Sequence, residues 1–171
     1  MKHRRQYTGN ADGVAKGLRP GMKVWIQEVI DLSDGVLWNN GAFAVREMRS
    51  KSSLSVHATG RAVDLSYRGK KGGRKKAVDV MRLLVRYADE VGLEAILDYF
   101  PKPHGRGYRC DRAGWSRYRR PTISGAPGGD WIHCEVSPEF ADSPKRVRQG
   151  FAKIRADILQ GQSQAGPTTQ S

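Results

Sequence analysis

The chain of 171 residues has few cysteines, few acidic residues relative to basic ones, and no long apolar segment. Its two cysteines, Cys110 and Cys134, do not make the disulfide framework of a small secreted protein, and neither belongs to a Cys-x-x-Cys pair. No run approaches the roughly 18 consecutive apolar residues of a membrane-spanning helix. The basic N-terminus is not followed by an apolar run, so we expect no secretory signal peptide and a cytoplasmic location. We also expect the protein to be a monomer.

The shortage of acidic residues leaves a strongly basic protein. The 30 Lys and Arg residues against 17 Asp and Glu residues give a net charge of +13 and an isoelectric point near 10.1. Such a charge attracts polyanions. Nucleic acid, anionic cell-wall polymers and acidic membrane surfaces are all negatively charged partners of this kind, so the net charge alone does not identify the partner. Hydrophobic residues make up 38% of the chain, which is enough for a modest core and excludes a wholly disordered protein.

The hydrophobic pattern predicts an α+β fold with a small central antiparallel sheet and flanking helices. We divide the chain into a basic N-terminal arm (1–22), a folded domain (23–159) and a disordered tail rich in Gln, Ser and Thr (160–171). The segment 101–129, rich in proline and arginine, is predicted to be a long irregular loop. Strands are predicted at 23–30, 42–48, 62–67, 94–100 and 131–136, and helices at 77–91 and from 143 onward.

The first of two chemically informative segments is S-V-H-A-T-G-R-A-V-D at 55–64. It places His57 in a predicted turn and Asp64 inside a predicted strand. Gly60 lies between them and permits a sharp reversal of the backbone, because glycine adopts conformations closed to other residues. An imidazole and a carboxylate could therefore approach one point.

The second segment is D-W-I-H at 130–133, which leads into the predicted strand 131–136. Successive side chains of a strand point to opposite faces. His133 and Glu135 are therefore predicted on one face and Cys134 on the other. We expect Cys134 to pack inward as a small apolar residue.

Two histidines and one aspartate suit a catalytic zinc ion, since three protein ligands leave a fourth position open. Zinc lowers the pKa of a bound water to roughly 7, and a further carboxylate must then carry the proton. Asp130, three residues before His133, is the candidate for that carboxylate. Each residue also has a structural alternative: His57 could hold a turn, and His133 could be a satisfied strand histidine. Asp64 and Asp130 could cap a turn or a strand edge, and spacing alone leaves both interpretations open.

Taken together, the two segments form the pattern S-x-H-x-x-G-x-A-x-D followed by D-x-x-H on an apolar strand. This pair of motifs resembles the LAS-type zinc D-Ala-D-Ala carboxypeptidases and L-alanyl-D-glutamate endopeptidases, a family of peptidoglycan peptidases that includes bacteriophage endolysins. The resemblance covers residues 42–136. The matched positions are Ser55, His57, Gly60, Ala62 and Asp64 in the first motif and Asp130 and His133 in the second.

The resemblance implies a role for each matched polar residue at the site. His57, Asp64 and His133 would be the ligands of a zinc ion on the open face of the sheet. Asp130 would be the general base.

The family also carries an arginine upstream of the motif serine that stabilises the oxyanion. Arg46 stands at the expected spacing here, and Arg49 is a nearby rival. A guanidinium suits this task because it offers paired donors to developing negative charge. One departure is Trp131, which stands where many members have a histidine two residues before the last ligand.

The resemblance implies zinc-dependent hydrolysis of an amide bond in bacterial peptidoglycan peptides, by a D-Ala-D-Ala carboxypeptidase or an endolysin-type endopeptidase. The basic surface would adsorb to the anionic cell wall. The missing signal peptide would suit a phage-encoded lysin that stays in the cytoplasm until it is released to the wall. The alternative is a basic nucleic-acid-binding domain without catalysis, with 68–76 and 106–120 as its footprint. No recognised nucleic-acid motif favours that alternative.

Overall fold

A six-stranded antiparallel sheet with helices packed against one face forms the architecture, which confirms the predicted α+β class. The structure is a computed structural model that describes residues 4–45, 53–112, 114–121 and 125–164. Within these ranges the helices are α1 (Pro20–Leu32), α2 (Gly73–Arg86), α3 (Pro138–Ala141) and α4 (Pro144–Gln164), with a short 3₁₀ helix at Val56–Thr59. The strands are β1 (Trp38–Gly41), β2 (Ala62–Ser66), β3 (Leu93–Asp98), β4 (Arg106–Arg109), β5 (Trp115–Arg117) and β6 (Trp131–Val136).

The last strand in the chain lies in the middle of the sheet. The spatial order is β1-β2-β6-β3-β4-β5, and every neighbouring pair is antiparallel. Strand β6 therefore pairs with both β2 and β3, which brings the two chemically informative segments side by side. The strands predicted at 62–67, 94–100 and 131–136 are confirmed as β2, β3 and β6.

Alternation along β6 separates the core from the opposite face of the sheet. Ile132, Cys134 and Val136 are fully buried in one hydrophobic cluster with residues of α1, α2 and α4. His133 and Glu135 occupy the other face. The predicted inward packing of Cys134 is confirmed, and both cysteines are free thiols.

Helix α1 replaces the strand predicted at 23–30, so that prediction is wrong. Valine and isoleucine favour strands in general, but tertiary packing overrides this preference here. Pro20 occupies the first helical position, where its missing N–H costs no hydrogen bond. The apolar residues then recur at the helical spacing and form the buried stripe of α1, namely Met22, Trp25, Ile26 and Val29.

Two further predictions in irregular regions differ from the structure. The first sheet strand lies at Trp38–Gly41 rather than at 42–48; residues 42–45 form no strand, and 46–48 lie outside the described residues. The predicted loop 101–129 contains the antiparallel hairpin β4–β5. The arginines of β4 and β5 obscure the alternating apolar pattern that would predict a hairpin. In the structure the guanidinium of Arg106 packs over the ring of Trp115, at 4.5 Å from its centroid.

The two long helices differ from their predicted bounds at the ends. Helix α2 begins at Gly73 and ends at Arg86. At the start of α4, the Ser143 hydroxyl accepts the Arg146 backbone N–H, as expected of a capping residue. Helix α4 continues to Gln164, beyond the predicted end of the domain, while residues 165–171 lie outside the described part of the chain. None of the helices described has the length and apolar character to cross a membrane.

The N-terminal segment, which we define as residues 4–18, is bound to the sheet through side chains and backbone. The Arg5 guanidinium donates to the carbonyl oxygens of Ala88 and Leu93. The Thr8 hydroxyl donates to Glu94 Oε1 at 2.7 Å. The predicted boundary between arm and domain at residue 22 falls inside α1, so the N-terminal segment continues directly into the packed helix.

Candidate metal centre

The backbone of the first motif places His57 immediately before β2. The Ser55 hydroxyl accepts the His57 backbone N–H at 3.3 Å and caps the 3₁₀ helix. Gly60 ends this helix with φ of +71°, a left-handed conformation that glycine adopts without strain. A Cβ atom on Gly60 would lie 2.5 Å from the Gly17 carbonyl oxygen. The serine and the glycine of the motif thus shape the turn that presents His57.

Asp64 and His133 face each other directly across the pairing of β2 with β6. Side chains at paired positions of neighbouring antiparallel strands project from the same face and come close together. This face is the one opposite to the helices. The strand register, rather than any local motif, therefore brings the carboxylate to the second imidazole.

Three ligand atoms converge at this point. His57 Nε2 lies 3.1 Å from His133 Nδ1 and 3.5 Å from Asp64 Oδ1. His133 Nδ1 lies 3.0 Å from Asp64 Oδ1. His57 and His133 are buried and Asp64 is partly buried. This group could hold a metal ion, because one ligand atom from each residue lies within 4.8 Å of the others.

The outer nitrogen of each imidazole faces an oxygen acceptor. His57 Nδ1 contacts the Ala42 carbonyl oxygen, and His133 Nε2 lies 3.0 Å from Glu135 Oε1. With a cation bound at this point, the ring protons would lie on the outer nitrogens, because the carbonyl and the carboxylate there accept hydrogen bonds. The inner nitrogens then present lone pairs beside the carboxylate of Asp64. Three converging acceptors fit a bound cation, and imidazole with carboxylate is a donor set typical of transition-metal sites.

Without a metal, the carboxylates of Asp64 and Glu135 favour the protonated form of His133. Burial lowers the pKa of His133, but its hydrogen bonds with Asp64 and Glu135 outweigh burial and raise the pKa to about 9. Burial also raises the pKa of Asp64, but hydrogen bonds from His133 and His57 bring it well below its ordinary value. A positive charge is thus stabilised at the point where the three ligand atoms meet.

Glu135 and Tyr7 extend this network, and sequence reasoning assigned neither of them a role. Glu135 is buried, and its Oε2 atom accepts the Tyr7 hydroxyl at 2.6 Å. Burial and the neighbouring Glu135 charge raise the pKa of Tyr7 above its ordinary value, so the hydroxyl stays protonated and donates. The one sequence signal for a role of Glu135 was strand alternation, which put it on the same face as His133. Nothing in the sequence linked it to a tyrosine in the predicted arm.

Asp130, the predicted general base, lies just before β6 and outside the group of three ligand atoms. Its carboxylate receives two hydrogen bonds from Arg68, at 2.8 and 3.0 Å. The hydrogen bond from Arg68 lowers the pKa of Asp130, so the carboxylate is ionised. Arg46 and Arg49, the candidates for the oxyanion-stabilising arginine, lie outside the described residues.

Other residues with possible ligand chemistry are not part of this cluster. His104 lies in the turn between β3 and β4 and is half-buried. Cys134 points into the core, where burial raises the pKa of its thiol. On the sheet face that carries the cluster, the ring of Tyr99 packs on that of Trp131 with centroids 5.0 Å apart. The rings of Tyr108 and Trp115 pack against each other near the core, with centroids 6.2 Å apart.

Comparison with protein-family models, with curated proteins and with solved structures finds no match to this chain. The site is therefore defined by its own geometry. That geometry consists of two imidazoles and a carboxylate around one point, each imidazole oriented by a hydrogen bond on its far side.

Proposed function

We propose that this protein is a zinc-dependent peptidase that hydrolyses an amide bond in bacterial peptidoglycan peptides. The observation that carries the proposal is the convergence of His57 Nε2, Asp64 Oδ1 and His133 Nδ1 within 4.8 Å of one another. Two histidines and one carboxylate are the protein ligands of many catalytic zinc ions, which differ from structural zinc in keeping an open position. When bound there, zinc would supply a Lewis acid and lower the pKa of a coordinated water to roughly 7.

Asp130 is the residue best suited to move a proton. Its ionised carboxylate would accept a proton from the attacking water and deliver it to the leaving amine, as a general base and then a general acid. The pair with Arg68 lowers the pKa of Asp130 and so weakens it as a base, and Arg68 would therefore have to release the carboxylate before catalysis. Arg68 is largely exposed, so its side chain has room to move when substrate binds. An oxyanion role for Arg46 or Arg49 stays a prediction.

The choice of peptidoglycan rests on the two motifs and on charge. The motifs that resemble those of the LAS-type peptidases contribute all three converging ligands. The net charge of +13 suits a surface that adsorbs to an anionic cell wall. Phage origin and release from the cytoplasm to the wall belong to the same proposal.

The experiment that tests the proposal measures metal content and cleavage in the same preparation. Purified full-length protein is analysed for metals and incubated with defined muropeptides, and the products are identified by mass spectrometry. We expect about one zinc ion per chain and new amine and carboxylate termini, with cleavage lost on chelation and restored by zinc. A metal-free protein that leaves muropeptides intact would contradict the proposal. If that protein bound DNA with strong salt dependence, it would favour the basic nucleic-acid-binding alternative.

A further inference from the structure

We propose that Tyr7 and Glu135 are positioning residues that set the metal affinity of the site from outside the ligand group. The proposal rests on the proposed function in one respect, since it requires that a metal binds to His57, Asp64 and His133. It assigns a functional role to the N-terminal segment, which the motifs do not include.

Two consecutive hydrogen bonds connect Tyr7 of the N-terminal segment to the ligand His133 through Glu135. The Tyr7 hydroxyl donates to Glu135 Oε2 at 2.6 Å, and the other carboxylate oxygen, Oε1, lies 3.0 Å from His133 Nε2. Each oxygen of the carboxylate thus has its own partner. A histidine that donates its outer N–H to a carboxylate is fixed in tautomer and ring orientation, and it becomes a more basic ligand. Glu135 can do this for His133 because both project from the same face of β6.

Tyr7 is itself held in place from several directions. The Arg109 guanidinium lies over its ring at 4.0 Å from the centroid. The hydroxyl of the next residue, Thr8, donates a hydrogen bond to Glu94, and the Gly9 carbonyl oxygen accepts a hydrogen bond from Arg61. The phenol is therefore presented to Glu135 by a fixed backbone. A phenylalanine would fill the same space between Arg109 and the sheet and would lack only the hydrogen bond to Glu135.

A merely structural tyrosine would affect stability and leave metal affinity unchanged, and this difference makes the proposal testable. The metal is removed from the full-length protein, and zinc is titrated back against a chromophoric chelator of known affinity. Cobalt(II) is titrated in parallel, and its visible spectrum reports the ligand geometry. The variants are Tyr7→Phe and Glu135→Gln. The matched control is Tyr87→Phe, because Tyr87 also donates its hydroxyl to a carboxylate, that of Asp157, at 2.9 Å on the helical side of the sheet.

We expect Glu135→Gln to weaken zinc binding by about 10- to 100-fold, the range typical of outer partners of metal ligands. Tyr7→Phe should weaken it by about 2- to 10-fold, the effect of one hydrogen bond. Both should alter the cobalt spectrum, and Tyr87→Phe should match the wild type. Wild-type zinc affinity and cobalt spectrum in Tyr7→Phe and Glu135→Gln would overturn this proposal alone. Absence of any metal binding by the wild type would overturn the proposed function together with it. If Glu135→Gln does not fold, Tyr7→Phe decides the test.

Discussion

His57 and His133 approach each other with ring nitrogens 3.1 Å apart, while each ring turns its other nitrogen to an oxygen acceptor. Two neutral imidazoles in this orientation direct lone pairs at each other, next to the carboxylate of Asp64. Such an arrangement is repulsive. Without a metal, a proton relieves this repulsion, because the pKa of His133 is raised to about 9, and a bound metal ion would take the place of that proton. Metal binding should therefore stabilise the fold, and the predictions below separate the ligands from the residues that support them.

Replacing His57 with alanine should abolish stoichiometric zinc binding, because it removes one of three ligand atoms from the site. A ligand at 100 times its Kd stabilises a protein by about 2.7 kcal/mol, which corresponds to about 5–10 °C in Tm for a chain of this size. Chelation should lower the wild-type Tm by this amount and leave that of His57→Ala unchanged. Elemental analysis and calorimetry check both effects. His104→Ala is the control, and a His57→Ala protein that kept one zinc ion would exclude His57 as a ligand.

Asp130→Asn should keep zinc and lose hydrolysis by about 10²- to 10⁴-fold, the contribution of a general base. The amide preserves the size of the side chain but cannot accept the proton. Asp142→Asn is a matched control, because Asp142 likewise receives two hydrogen bonds from one arginine, Arg19, on a different part of the surface. Rates of muropeptide cleavage together with zinc content give the answer. Wild-type turnover in Asp130→Asn would remove Asp130 from the mechanism.

Arg61→Met should destabilise the protein by about 3–5 kcal/mol, the cost of breaking a buried ion pair. The Arg61 side chain is fully buried and contacts Glu94 at 3.3 Å and Asp12 at 2.9 Å. Its removal leaves the buried Glu94 carboxylate without its guanidinium partner. Denaturant unfolding measures the difference. Arg68→Met, which removes an exposed pair, should unfold at nearly the wild-type denaturant concentration, and an equally mild effect of Arg61→Met would contradict the prediction.

Gly60→Ala should cost more stability than Gly69→Ala, although both glycines have φ of +71°. The left-handed conformation alone costs an alanine about 1–2 kcal/mol, and this is the effect expected at Gly69, where the added Cβ meets open space. At Gly60 the Cβ would also meet the Gly17 carbonyl oxygen at 2.5 Å. The backbone must then shift and carry His57 with it, so zinc affinity should fall in Gly60→Ala alone. Equal unfolding free energies and equal zinc affinities for the two variants would refute this expectation.

The parts of the site that could be predicted are those governed by short-range rules. Strand alternation put His133 and Glu135 on one face and Cys134 on the other, and the structure confirms this division. The position of Asp64 opposite His133 depends on strand register, which alternation does not predict. Only the resemblance of the two motifs to those of a known family indicated that these residues come together. The three predicted ligands do come together.

The parts that could not be predicted depend on distant contacts or on competing local signals. The β-branched residues of α1 suggested a strand, although Pro20 and the spacing of Trp25 and Val29 already indicated a helix. Arg61 is a charged residue and would ordinarily be assigned to the surface; it is buried because Asp12 and Glu94 meet it there. Tyr7 has no sequence signal at all, because its partner is 128 positions away.

The separation of Tyr7 from Glu135 has a consequence for biosynthesis. A ribosome makes the chain from its N-terminus at about 5–20 residues per second, so the N-terminal segment emerges long before the strand that carries Glu135 and His133. Until that strand is translated, β2 also lacks its neighbour in the middle of the sheet. The three ligand side chains are therefore together in the nascent polypeptide only after β6 has been translated, and a metal ion could be held by all three only from that point onward.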